Sequence, residues 1–136
     1  MMKLRFDKYQ GTGNDFIIID NRNTYFDKNN IELVRHLCDR KFGIGSDGFI
    51  LIETHADWDF NMVFFNPDGS QSFCGNGSRC AVAFAKELGL ISDFAKFNST
   101  DGYHEASINS KGLVKLKMHN VSNIEAASPK PSMPII

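Results

Sequence analysis

Apolar positions along this chain recur in two rhythms, and each predicts a different kind of element. Residues 3–9 and 15–20, the second carrying the run Phe16-Ile17-Ile18-Ile19, read as β-strands joined through the turn Gly11-Thr12-Gly13. Ile31, Val34, Leu37 and Cys38 then fall at helical spacing behind Asn29 and Glu32, whose separation is that of a capping box, and the helix is expected to stop near Gly43. Residues 49–53 and 60–65 are strands again, followed by the strong turn Asn66-Pro67-Asp68-Gly69. Residues 75–88 predict a second helix with Gly89 just past its end, and its segment Ala81-Val82-Ala83-Phe84-Ala85 is small and apolar on nearly every side, the mark of deep burial. Three more strands are predicted over 96–100, 103–108 and 113–118, with turns at Asp101-Gly102 and Lys111-Gly112. Beyond about residue 119 the pattern dissolves, and 128–134 reads as a linker or frayed end. The sum is an α+β domain, mostly antiparallel sheet, with one helix in its middle.

Composition narrows the function classes. The 136 residues fit one ordinary domain, and 42% hydrophobic against 23% charged residues is a globular balance. A formal net charge of −1 supplies no broad basic field for nucleic acid or an anionic membrane surface. No apolar run approaches the roughly 20 residues of a bilayer span. The first residues lack the pattern of a signal peptide, so a cytoplasmic location is expected. Three cysteines, an odd number without a Cys-x-x-Cys pair, fit neither a disulfide framework nor a zinc site, and the four histidines are scattered; no metal is expected.

Gly43-Ile44-Gly45-Ser46-Asp47-Gly48 matches the dinucleotide fingerprint as a string. That fingerprint works between a preceding strand and a following helix, whereas here the predicted order is helix then strand, so these glycines read as turn formers. Cys74-Gly75-Asn76-Gly77-Ser78-Arg79-Cys80 is more informative. It lies at a loop-to-helix junction, where free backbone N–H groups and the helix dipole hold an anion and where the same field favours a thiolate in the first turn. From spacing alone Cys74 is either such a thiol or a small buried hydrophobe. Cys80 and Cys38 fall on apolar helix positions and read as core. Gly11-Thr12-Gly13-Asn14-Asp15 and Asn66-Pro67-Asp68-Gly69 each place a polar amide beside an apolar strand, and taken singly each is a turn.

Together these four segments, in order and spacing over about residues 3–118, resemble the N-terminal half of diaminopimelate epimerases. The resemblance implies a sheet wrapped about a central helix, in a protein of two such domains with the site between them. It implies cofactor-free interconversion of LL- and meso-diaminopimelate, on the route to lysine and peptidoglycan. Carried over by position, Cys74 is one of two catalytic thiols, Gly75 and Asn76 lie at the helix end that holds the reacting carboxylate, and Asn14 and Asn66 are substrate-binding amides. At position 48 many members have a glutamine that touches substrate, where this chain has Gly48. The family enzyme is about twice as long, and its other half carries the second thiol with a Glu and an Arg for the substrate.

On this reading residues 1–118 form the first domain and 119–136 a linker or the start of a second. The chain supplies one thiol, is expected to be inactive alone, and exposes a face open to self-association. Inverting a carbon centre requires a base on one face and an acid on the other, and a thiol with its pKa near 8.5 needs only a modest depression for that work. Two alternatives stand beside this reading: a proline-type cofactor-independent racemase, and a non-catalytic binding domain of the same fold.

Overall fold

A computed structural model of the chain describes residues 4–117, 124–127 and 130–131. Strands β1 (Asp7–Gly11) and β2 (Asn14–Asp20) form a hairpin whose two-residue turn holds Thr12 and Gly13 at φ 55° and 87°, the positive pair that matches strand twist. β1 begins at Asp7 rather than at residue 3; Leu4 and Phe6 lie ahead of it and pack as partly buried side chains against the outer core. Helix α1 (Ile31–Cys38) is capped by Asn30, whose side-chain oxygen accepts the Leu33 N–H at 3.2 Å, so the cap falls one residue later than the Asn29 box predicts.

α1 also ends five residues before Gly43. Its last carbonyls are satisfied by the following loop, which folds back so that the N–H groups of Ile44 and Gly45 reach the Leu37 carbonyl and that of Ser46 the Cys38 carbonyl, at 2.9–3.1 Å. Gly43 permits this return, because a Cβ there would collide with the His36 carbonyl. The glycine string is therefore the C-terminal seal of a helix leading into β3 (Gly48–Glu53).

β3 is followed by β4 (Phe60–Phe65), helix α2 (Gly75–Glu87), β5 (Phe94–Ser99), β6 (Gly102–Ile108), β7 (Val114–Lys117), β8 (Ile124–Ala127) and β9 (Lys130–Pro131). All nine strands join one sheet in the order β8-β7-β6-β5-β4-β3-β2-β1-β9, parallel between β2 and β3 and between β4 and β5, antiparallel elsewhere. Where the C-terminal segment is described, β8 extends β7, and Lys130–Pro131 pairs with β1. Two residues separate β8 from β9, although they lie at opposite ends of the strand order. Three peptide steps span at most about 11 Å, so the two ends of the sheet are drawn together and the sheet curls around α2.

This curl explains the two kinds of strand in the sequence. β2, β3 and β4 are covered on both faces. Ile18, Ile50, Ile52, Met62 and Phe64 point inward to Cys80, Ala81, Val82 and Ala85 of α2, while Ile17, Ile19, Phe49, Leu51 and Phe65 point outward to Val34, Leu37 and Cys38 of α1. Buried twice, these strands are continuous apolar runs. β7 has only the inner face covered and alternates strictly, with Val114 and Leu116 buried and Lys115 and Lys117 exposed. The inner surface takes mostly small helix residues, Gly77, Ser78, Cys80, Ala81, Val82 and Ala85, with Arg79 and Phe84 as the large buried exceptions. Within it Phe97 stacks on Phe60 with ring centroids 4.9 Å apart and is fully buried. Phe97→Ala is expected to lower unfolding stability by about 3–5 kcal/mol, read as a lower urea midpoint at unchanged slope.

Candidate functional site

The chain reaches the site from the end of β4. Asn66 opens the turn there, its amide nitrogen donating to the Ser70 carbonyl, the Ser70 hydroxyl and the Ser72 hydroxyl at 3.0–3.2 Å. The Gly69 N–H closes on the Asn66 carbonyl at 2.8 Å, and Phe65 pairs back with Gln71. Phe73 then stacks on the buried His104 of β6, with ring centroids 4.3 Å apart. That contact delivers the chain to Cys74 in an extended conformation, φ −130° and ψ 117°, as the N-cap of α2.

Sulfur is an unusual N-cap, a position that favours the hard oxygens of Ser, Thr, Asp and Asn. The Gly77 N–H donates to Cys74 Sγ at 3.4 Å, so the sulfur sits against the positive end of the helix, half-buried. Among the described residues no hydrogen bond engages the N–H groups of Gly75 and Asn76, which leaves them as donors at the same helix end. The other two thiols differ. Cys80 is fully buried, and burial, with the nearby Cys74, pushes it up to about 12. Cys38 is buried and also raised, by burial, despite the hydrogen bond from Ser46.

Beside Cys74 the side chains form one polar chain. Arg79, buried in α2, donates through Nη2 to Asn76 Oδ1; Asn76 Nδ2 donates to Asn14 Oδ1 at 2.9 Å; Asn14 Nδ2 donates to Asp47 Oδ2 at 3.2 Å. Asp47 also accepts the Asp15 N–H at 3.1 Å and Arg40 at 3.1 Å. Asp15 itself takes Arg40 at 2.7 Å and the buried Lys8 at 2.7 Å. Partial burial works against the Asp15 carboxylate, but the hydrogen bonds and charges of Arg40 and Lys8 outweigh it and hold Asp15 well below the usual carboxylate range.

The structure thus brings Asn14, from the β1–β2 turn, into direct contact with Asn76, 62 positions away and two residues from Cys74. Asn66 is tied to Ser72, also two residues from Cys74; among the described residues no hydrogen bond joins it to Asn14 or Asn76. Asp47 and Arg79 lie within the glycine-rich and Cys74–Cys80 motifs, and their pairing, Asp47 to Asn14 and Arg79 to Asn76, appears only in the folded chain. Gly48 has a physical reason in place: a Cβ there would lie 2.5 Å from Phe64 Cζ and 3.0 Å from Phe16 Cδ1. Among the described residues no three of His, Cys, Asp and Glu converge to hold a metal ion, and no helix is long and apolar enough to cross a membrane.

A curled sheet about a helix recurs in enzymes that invert carbon centres. A hydroxyproline epimerase from Agrobacterium vitis superposes with a TM-score of 0.67 at 16% identity, over 85% of this chain and 41% of that one. A probable proline racemase from Agrobacterium radiobacter superposes with a TM-score of 0.66 at 16% identity, over 85% and 42%. At such identity the likeness defines the fold. Sequence goes further. The family model of diaminopimelate epimerase matches residues 6–124. The diaminopimelate epimerase of Flavobacterium psychrophilum is 52% identical over 122 residues, 89% of this chain and 48% of that enzyme. That of Chlorobaculum tepidum is 43% identical over 111 residues, 79% of this chain and 43% of that enzyme. The chain belongs to the diaminopimelate epimerase family, and it spans about half the length of the curated relatives it matches.

At limiting alkylating reagent near neutral pH, Cys74 is expected to be labelled well before Cys38 and Cys80, with peptide mass spectrometry as the readout; first labelling of Cys80 would contradict the burial described. Gly48→Gln is expected to cost about 1–3 kcal/mol by overpacking Phe64. Combined with Phe64→Leu it should cost less than the two singles summed, by about 0.5 kcal/mol or more, in a urea-unfolding double-mutant cycle.

Proposed function

We propose that this chain supplies one wall of a site that interconverts LL- and meso-diaminopimelate without a cofactor, with Cys74 as one of its two thiol acid/bases. The observation that carries the reading is the placement of Cys74 Sγ as N-cap of α2, beside the Asn14–Asn76 pair. Gly75 and Asn76 offer N–H groups to the carboxylate of the reacting centre, while Asn14 and Asn66 bind polar groups of the substrate.

As a thiolate, Cys74 takes the α-proton, and the electron pair left on carbon delocalises into the carboxylate. An acid on the opposite face returns a proton there, which inverts the centre. Donors at the helix end stabilise the charge that develops on the carboxylate, and they do so best in a cleft closed to water. Cys80 cannot be the opposing group, because it is buried further along the same helix. The second thiol and the far wall come from another segment, and the apolar surface that meets it is open to self-association when the chain is alone. The substrate is a small molecule, with neither nucleic acid nor membrane as partner, and the reaction is cytoplasmic.

Proton exchange into LL-diaminopimelate in heavy water, with chiral separation of products, tests this. Residues 1–136 alone are expected to turn over negligibly. Joined to the complementary half of the Flavobacterium psychrophilum enzyme, the chain should reach rates on the order of 1–10³ s⁻¹, and Cys74→Ala in that fusion should abolish them. A fusion that acts on trans-4-hydroxy-L-proline instead would favour the racemase reading, and an active Cys74→Ala variant would remove Cys74 from the chemistry.

A further inference from the structure

Hydrogen-bond polarity runs in one direction along the chain of side chains beside Cys74, and both of its ends are fixed. A guanidinium only donates, so Asn76 must turn its Oδ1 to Arg79 and its Nδ2 to Asn14. A carboxylate only accepts, so Asn14 must turn its Nδ2 to Asp47 and its Oδ1 to Asn76. Flipping either amide would set nitrogen against nitrogen or oxygen against oxygen. Among the described residues each amide nitrogen spends one of its two hydrogens on this chain, which leaves each a second hydrogen to donate. Asp47 is itself fixed: its Oδ2 accepts the Asp15 backbone N–H at 3.1 Å, and its Oδ1 accepts Arg40.

We propose that Asp47 is a positioning residue that, opposite Arg79, sets the amide polarity of Asn14 and Asn76 so that both present N–H donors to a carboxylate bound beside Cys74. The proposal rests on the reading of this helix end as a carboxylate site, and its direction is opposite to simple electrostatics. A negative side chain near an anion site should weaken anion binding. An oriented donor should strengthen it, and losing the residue that orients the donor should weaken it.

Two substitutions separate charge from polarity. In Asp47→Asn the Asp15 N–H requires an oxygen at the Oδ2 position, and the same oxygen still accepts from Asn14. Among the described residues the new amide nitrogen faces only Arg40, whose guanidinium keeps its two hydrogen bonds to Asp15 and can shift off position 47 towards solvent, its side chain being 59% exposed. Asp47→Ala removes charge and acceptor together, and Asn14 is released.

Alkylation of Cys74 by iodoacetate and by iodoacetamide supplies the readout. In each, the thiolate sulfur forms a bond to the methylene carbon and iodide leaves; only iodoacetate carries a carboxylate. The ratio of the two rate constants, divided by that of free cysteine, reports carboxylate recognition and cancels changes in thiol reactivity. In the 136-residue chain the normalised ratio should exceed one. In Asp47→Asn it should equal or exceed that of the parent. In Asp47→Ala it should fall about tenfold, equivalent to about 1.4 kcal/mol. A parent ratio of one overturns the carboxylate-site reading itself. A raised parent ratio that Asp47→Ala leaves equal or higher overturns the positioning role alone. So does an equal fall in Asp47→Asn and Asp47→Ala. Labelling of Cys80 by iodoacetamide would report a loss of fold in Asp47→Ala. Asp47→Ser then takes its place, since a hydroxyl can donate or accept and enforces no polarity, and the same fall is expected.

Discussion

Enclosing a whole helix within a curled sheet is the constraint on which the rest of this structure depends. The inner face of the sheet admits α2 only because its buried positions are glycine, serine, cysteine, alanine and valine for most of its length, with Phe84 and Arg79 as the large exceptions. The first N–H groups of such a helix have no partner within the helix itself. Sulfur in the capping position satisfies one of them, and the N–H groups of Gly75 and Asn76 remain as donors. The chemistry proposed for Cys74 is thus a consequence of packing. The helix that fills the core is also the one that sets its positive end against Cys74 Sγ.

Burial of charge near the β1–β2 turn follows the same logic at a different place. Lys8 is 8% exposed, and its ammonium is held by Asp15 and by the Gly45 carbonyl. A buried cation needs such partners, since its desolvation is far larger than a single hydrogen bond. Arg40 and Asp47 complete the group, and the loop that seals the C-terminus of α1 is thereby tied to the turn that carries Asn14. Position 48, next in the chain, opens on Phe64 and Phe16 rather than on free space. A side chain at that position would have to displace an inner-core ring.

Much of this was written in local sequence. Runs such as 16–19 and 49–52 mark strands covered on both faces, alternation over 114–117 marks a strand covered on one, and the positive-φ turns fall at Gly13, Gly69 and Gly89 as their neighbours suggest. The spacing of four polar motifs carried the family resemblance, because each motif is a backbone geometry that few residues can adopt. The small, apolar body of α2 announced a buried helix, and the segment from Cys74 to Arg79 announced its start.

Tertiary structure decided what depends on residues distant in sequence. Asn30 rather than Asn29 caps α1, since both can cap and only the path of the preceding loop selects one. Ile124–Ala127 and Lys130–Pro131 became strands because β7 and β1 offer open edges, although a proline-rich segment carries no strand signal of its own. Asp47 and Arg79 acquired their roles in the same way. A carboxylate in a glycine-rich turn and a guanidinium in a helix do not reveal, one residue at a time, that two asparagines 62 positions apart lie between them. Local sequence fixes which conformations a segment can take; which donor meets which acceptor is settled only when the sheet closes around the helix.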